Sequence, residues 1–136
     1  MNTTPLGLGR SNGEPMPTKT ILVCDDEPAM RELLRIVLAA DYDVDEAADG
    51  VEVLERIRER EPDLLVLDVM LPGRSGLEVL AELRRDPAHA ETPVIVITAW
   101  DHVEEGARAA GADLFLLKPF GPDELRGAVA QLLDGS

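Results

Sequence analysis

Cysteine, histidine and basic side chains are scarce in this chain, and each shortage excludes something. The single Cys24 rules out an internal disulfide framework and suits a reducing compartment. Its place in an apolar run marks it as a buried, inert thiol rather than a nucleophile. His89 and His102 share no metal-ligand spacing and read as solvated side chains. Only 13 Lys plus Arg stand against 27 Asp plus Glu, a formal charge of -14. Phosphate backbones select basic patches, so this balance argues against nucleic acid as a direct partner. An acidic pole that takes up a divalent cation fits better, while most of the surplus serves solubility. No apolar run approaches the roughly 20 residues needed to span a membrane, and no apolar stretch follows the amino-terminal charges as in a signal peptide. No membrane partner is expected, and the expected location is the cytoplasm.

What is present is one strong organising stretch, Leu64-Leu65-Val66-Leu67-Asp68. Four consecutive apolar residues run into a carboxylate, with Pro62-Asp63 before and Pro72-Gly73 after. A short continuous apolar run between turn signals suits a strand buried on both faces. Such a strand delivers Asp68 to its carboxyl end, the edge where open α/β sheets bind ligands.

The rest of the 136 residues reads as support for one domain over 19–134, long enough to bury a core without staples. Residues 1–18, dominated by Asn, Thr, Pro, Gly and Ser without periodicity, read as a disordered tail. Thr20–Cys24 is a second buried-type strand ending in Asp25-Asp26-Glu27. Pro28 then opens a helix with Met30, Leu33, Leu34, Val37 and Leu38 on one face and Arg31, Glu32 and Arg35 on the other. Asp43–Ala47 is a polar strand suited to a sheet edge, and Asp49 caps a helix with Val53, Leu54 and Ile57 inward. After the central strand, Ser75 and Glu78 form a capping box for a helix with Leu77, Leu80 and Leu83 inward. Val94–Ile97 is the fourth strand, ending at Thr98. Residues 101–110 form a weak helix containing Gly106, ended by Gly111. Leu114–Leu117 is the fifth strand, ending at Lys118-Pro119, and a last helix covers about 122–133 with Leu125, Val129, Leu132 and Leu133 inward. Strands alternating with helices through short connections mean βαβ units and a parallel sheet covered on both faces. By analogy the fold is flavodoxin-like and doubly wound, a (βα)5 arrangement with strand order 2-1-3-4-5.

In a parallel sheet the strand ends share one edge, so Asp25, Asp26, Asp68, Thr98 and Lys118 converge. A hard cation such as Mg²⁺ takes oxygen ligands, typically one or two carboxylates completed by water and phosphate oxygens. Asp26 and Asp68 suit direct ligation, Asp25 acts through a water, and the Met70 backbone carbonyl can add a further oxygen. With the cation in place Asp68 is a plausible nucleophile forming an acyl phosphate. Lys118 would hold one phosphoryl oxygen and Thr98 would donate to another. Each residue alone has a plainer reading: Asp25-Asp26-Glu27 can simply favour a helix dipole, Thr98 can be an ordinary strand residue, and Lys118 can be a surface lysine.

Taken together, Val23-Cys24-Asp25-Asp26-Glu27, Leu67–Gly76, Thr98-Ala99 and Lys118-Pro119-Phe120 resemble the receiver domain of two-component response regulators, over about residues 19–134. The resemblance implies that Asp68 accepts a phosphoryl group from a sensor histidine kinase or histidine phosphotransfer protein. It implies Mg²⁺ held by Asp26, Asp68 and the Met70 carbonyl, with Asp25 assisting. Thr98 is then the switch hydroxyl, Lys118 the phosphate contact and Phe115 the switch aromatic. A cis Lys118-Pro119 bond and kinase docking at the first helix are also implied. Phosphorylation would reshape the face made by helix four, strand five and helix five for a downstream protein target. The protein would act as a monomer or as a phosphorylation-dependent dimer, and be no enzyme beyond its own phosphorylation and dephosphorylation.

Rival readings have sequence consequences. A haloacid dehalogenase-type phosphatase carries a second Asp two residues after its nucleophile, where this chain has Met70. A flavin-binding relative of the fold wants a Ser/Thr/Gly-rich phosphate loop where this chain has Asp25-Asp26-Glu27. A degenerate receiver would lack part of the acceptor set. Trp100, two residues after Thr98, is expected at the rim of the site, restricting attack of water on the acyl phosphate. The starting Met and the end at Asp134-Gly135-Ser136 favour a stand-alone receiver over a fragment of a longer regulator.

Overall fold

The computed structural model describes residues 18–134. The tail expected over residues 1–18 lies outside the described residues except for its last residue. Three of the four apolar runs become the centre of one sheet: β1 (Thr20–Cys24), β3 (Leu64–Asp68) and β4 (Val94–Thr98). β2 (Asp43–Ala47) and β5 (Leu114–Leu117) lie at the edges. The order is β2-β1-β3-β4-β5 with every neighbouring pair parallel, the order expected from the alternation. A polar strand tolerates the edge because only part of it needs covering.

Alternation along the strands divides the core into two halves. Leu22, Leu65, Leu67, Val94 and Val96 pack with Val53, Ile57, Val79, Leu80, Leu83 and Ala107, from α2 (Gly50–Arg60), α3 (Gly76–Arg85) and α4 (Glu104–Ala110). Ile21, Val23, Leu64, Val66, Ile95 and Ile97 pack with Leu34, Val37, Leu38, Leu125 and Val129, from α1 (Pro28–Leu38) and α5 (Pro122–Asp134).

The helix starts follow their caps. Asp49 accepts the Glu52 N–H at 2.8 Å. Ser75 and Glu78 form the reciprocal capping box, at 3.2 and 2.9 Å. Two apolar stripes differ from expectation. In α1 the buried set narrows to Leu34, Val37 and Leu38, leaving Leu33 41% exposed. In α3 the inward row is Gly76, Val79, Leu80 and Leu83, an i, i+3, i+4, i+7 set that puts Leu77 at its margin. The weak helix over 101–110 is split: a 3₁₀ turn (Asp101–Val103) precedes α4, and neither start has a side-chain cap. Ala107 is the single buried residue of α4, so little holds the longer helix in register. The other end of α4 is fastened. Arg84 donates to the carbonyls of Gly111, His89, Ala90 and Thr92 and to the Asp113 carboxylate, knitting the loops that enter β4 and β5.

Candidate functional site

Asp68 is the last residue of β3 and only 3% exposed. Its Oδ1 accepts the Met70 N–H at 3.2 Å, and its Oδ2 lies 3.3 Å from the Lys118 ammonium. Asp25, immediately after β1, is fully buried. Its Oδ1 accepts the Glu27 N–H at 3.0 Å and its Oδ2 accepts from Lys118 Nζ at 2.8 Å. Asp26 is exposed beside them. One carboxylate oxygen from each of Asp25, Asp26 and Asp68 lies within 4.8 Å of the others. The structure therefore brings Asp25, Asp26, Asp68 and Lys118 into one pocket at the carboxyl edge of the sheet.

The loop after Asp68 is held by close backbone approaches. The Gly76 N–H donates to the Val69 carbonyl at 2.9 Å, and a Cβ on Gly76 would overlap the Asp68 carbonyl. Gly50 donates to the Pro72 carbonyl at 3.1 Å, and a Cβ there would overlap the Arg74 carbonyl. These two glycines set the loop against the first turns of α3 and α2. Within the loop Val69 and Leu71 are buried while the Met70 side chain is 49% exposed, so Met70 faces outward while its N–H reaches Asp68.

Thr98 stands apart from this group. Asp68 and Thr98 end neighbouring strands but continue opposite halves of the core: Leu64 and Val66 face α1 and α5, while Val94 and Val96 face α2–α4. Phe115 packs on that second half, in register with Val96 on β4, so Thr98 and Phe115 share the α4 face. The Thr98 hydroxyl accepts the Trp100 N–H at 3.2 Å, and the Thr98 carbonyl accepts the Lys118 N–H at 2.7 Å. The Trp100 indole, 44% exposed, stacks on His102 with centroids 5.6 Å apart. The Lys118-Pro119 bond is cis.

Charge in the pocket is partly balanced. Burial pushes the Asp68 carboxyl above its usual range and the Asp25 charge adds to this, while the Met70 N–H and Lys118 oppose it. Burial works against the Lys118 ammonium, but Asp25 and Asp68 outweigh it and raise its pKa. Burial, reinforced by Asp25, pushes the Cys24 thiol well up, so it stays protonated and inert. The donor set offered to a cation is all oxygen, from three carboxylates, one of them exposed. That set suits a hard divalent ion such as Mg²⁺ and leaves room for water and phosphate oxygens.

Sequence reasoning missed three contributors. Nothing in the sequence singles out Gly50 or Gly76, because their close neighbours only meet them in the folded chain. Helical spacing puts Arg31 on the outer face of α1, yet its Nη1–H donates to the Asp25 carbonyl at 2.8 Å.

The chain matches the family described as the response regulator receiver domain over residues 21–130. It is 47% identical over 116 residues to the response regulator MprA of Mycobacterium ulcerans, an alignment covering 83% of this chain and 49% of MprA. It is 40% identical over 116 residues to RpaA of Synechocystis sp., named a DNA-binding dual master transcriptional regulator, covering 83% of this chain and 48% of RpaA. The chain thus spans about half the length of these curated relatives. A solved structure of the response regulator TrrA from Thermotoga maritima, in complex with Mg²⁺ and BeF, is 40% identical with a TM-score of 0.78. That similarity covers 85% of this chain and 99% of TrrA.

Proposed function

This chain belongs to the receiver-domain family of two-component response regulators, and from that premise we propose that Asp68 is its phosphoacceptor. The donor is a phosphohistidine on a sensor kinase or phosphotransfer protein. An Asp68 carboxylate oxygen attacks phosphorus, the P–N bond to the donor imidazole breaks, and the imidazole leaves with the electron pair and takes up a proton. Asp26, Asp68 and the Met70 carbonyl would hold Mg²⁺ with Asp25 behind them, and the ion supplies positive charge that admits a phosphoryl group to an acidic pocket.

The chain's own residues do the rest. Lys118 holds a phosphoryl oxygen as a point charge, Thr98 donates its hydroxyl to another, and the buried floor keeps Asp68 in line. The observation that carries this reading is the Lys118 ammonium, 3.3 Å from Asp68 Oδ2 in a pocket that gathers three carboxylates. When Thr98 turns toward the phosphoryl group, Phe115 on the same face fills the space it leaves. The α4–β5–α5 face then changes for a protein target. The uncapped start of α4, joined to Thr98 through Trp100, supports motion there. The domain's charge of -14 supports a protein rather than a nucleic-acid partner for this part. The DNA-binding name belongs to a relative about twice as long. Among the described residues no helix is long and apolar enough to cross a membrane, which fits a cytoplasmic domain.

Intact mass after incubation with Mg²⁺ and a small-molecule phosphodonor tests the reading. One phosphoryl adduct, lost with chelator and absent from Asp68→Asn, is expected. No adduct under conditions that modify another receiver would remove the switch mechanism and leave the fold.

A further inference from the structure

Arg31, on α1 at the back of the acidic pocket, joins three elements through one guanidinium. Its Nη1–H donates to the Asp25 backbone carbonyl at 2.8 Å, and its Nε–H to Glu46 Oε1 at 3.0 Å. Glu46 sits in β2 and is held a second time by the Arg35 Nε–H at 2.6 Å. The hydrogen bond from Arg35, joined by that from Arg31 against partial burial, lowers the Glu46 pKa and keeps it anionic. The residue after Glu46, Ala47, accepts the Asp25 N–H at 3.2 Å. With Glu27 on Oδ1 and Lys118 on Oδ2, the N–H, the carbonyl and both carboxylate oxygens of Asp25 are all engaged. Of these four tethers on Asp25, Arg31 supplies the only one that comes from an α1 side chain.

We propose that Arg31 is a positioning residue for the cation: it locks the Asp25-Asp26 turn in register with Asp68, so that the carboxylates meet an incoming divalent ion without rearranging. The inference rests on the Mg²⁺ reading above. It has a distinctive sign. A guanidinium beside a cation site repels the cation, so removing it should tighten binding if charge were its only influence. If position governs, removing it loosens binding. Lysine keeps the charge but cannot present the planar fork that reaches the Asp25 carbonyl and Glu46 together.

The test is an Mg²⁺ titration of the full chain, following the amide resonances of residues 25–27 and 68–70 by NMR. Parent, Arg31→Lys, Arg31→Met and Arg35→Met are compared well below each unfolding midpoint. Arg31→Lys and Arg31→Met should each weaken Mg²⁺ binding roughly five-fold, the equivalent of one ordinary hydrogen bond. Arg35→Met, which leaves both Arg31 contacts in place, should bind as the parent does. Binding by Arg31→Met equal to or tighter than the parent's would overturn the inference, as would parental affinity in Arg31→Lys. Should Arg31→Met fail to fold, the lysine variant decides alone. A folded parent with no saturable Mg²⁺ response would instead remove the metal reading, and this inference with it.

Discussion

Lys118 donates to Asp25 Oδ2 at 2.8 Å across 93 positions of chain, closer than its 3.3 Å approach to Asp68. In this state the ammonium serves a buried carboxylate that is not the proposed acceptor, while remaining within reach of the one that is. A single cation thus balances two acids at the carboxyl ends of β1 and β3, and a third, Asp26, stays exposed.

Removing that ammonium should leave Asp25 charged, buried and without its partner. Breaking one side of a buried pair costs about 3–5 kcal/mol, and the 14% exposure of the Lys118 side chain brings the expectation for Lys118→Met down to about 1–3 kcal/mol. Urea unfolding measures it. The double variant with Asp25→Asn should lose clearly less than the two single losses added; simple additivity would show that the pair is not coupled.

Asp68 gives a pH signature of definite sign. Its carboxyl is raised in the folded state, chiefly by burial, so folding disfavours its ionised form. The stability it contributes is therefore full below the unfolded carboxylate range and is lost as pH rises through the raised folded value. Without Mg²⁺, Asp68→Asn should be more stable than the parent at neutral pH, and the difference should shrink as pH falls through that window. Thermal unfolding between acid and neutral pH measures it; a gain that grows on acidification would contradict the assignment.

Gly76→Ala should act on the site through the backbone. Its Cβ would collide with the Asp68 carbonyl, and overpacking of this kind costs about 1–3 kcal/mol. Because the displaced atom belongs to the proposed acceptor itself, phosphorylation should slow together with the loss of stability. Gly106→Ala is the control: it meets only the tip of Leu77 at 4.0 Å and should gain or lose less than about 1 kcal/mol.

Trp100 is expected to shield the acyl phosphate from water, since its N–H is anchored on the hydroxyl of Thr98, the residue proposed to turn toward the phosphoryl group. Trp100→Ala should shorten the lifetime of the phosphorylated protein several-fold without changing how much adduct forms. A decay rate equal to the parent's would sink this role.

The site was legible in the sequence because its residues stand at strand ends, and a parallel sheet brings strand ends together whatever the details of packing. Asp25, Asp68 and Lys118 could be grouped by that rule alone. Gly50 and Gly76 could not, since a close approach is visible only once the opposing backbone is in place; Gly50 meets Arg74, 24 positions away. Arg31 was hidden for a different reason. Helical periodicity puts it on the polar side of α1, but that side curves over the Asp25 turn, and its side chain is 18% exposed. Periodicity also overextended α4, because small residues at helical spacing satisfy the pattern without enough buried surface to hold the first turn.

Three carboxylates share the pocket, and the proposed function assigns the phosphoryl group to Asp68 and to neither Asp25 nor Asp26. Borohydride reduces an aspartyl phosphate to homoserine, releasing phosphate, and peptide mass spectrometry then locates the change. After treatment with Mg²⁺ and phosphodonor, homoserine at position 68 alone is expected. Homoserine at position 25 or 26, or reduction at 68 that persists without phosphodonor, would contradict the account.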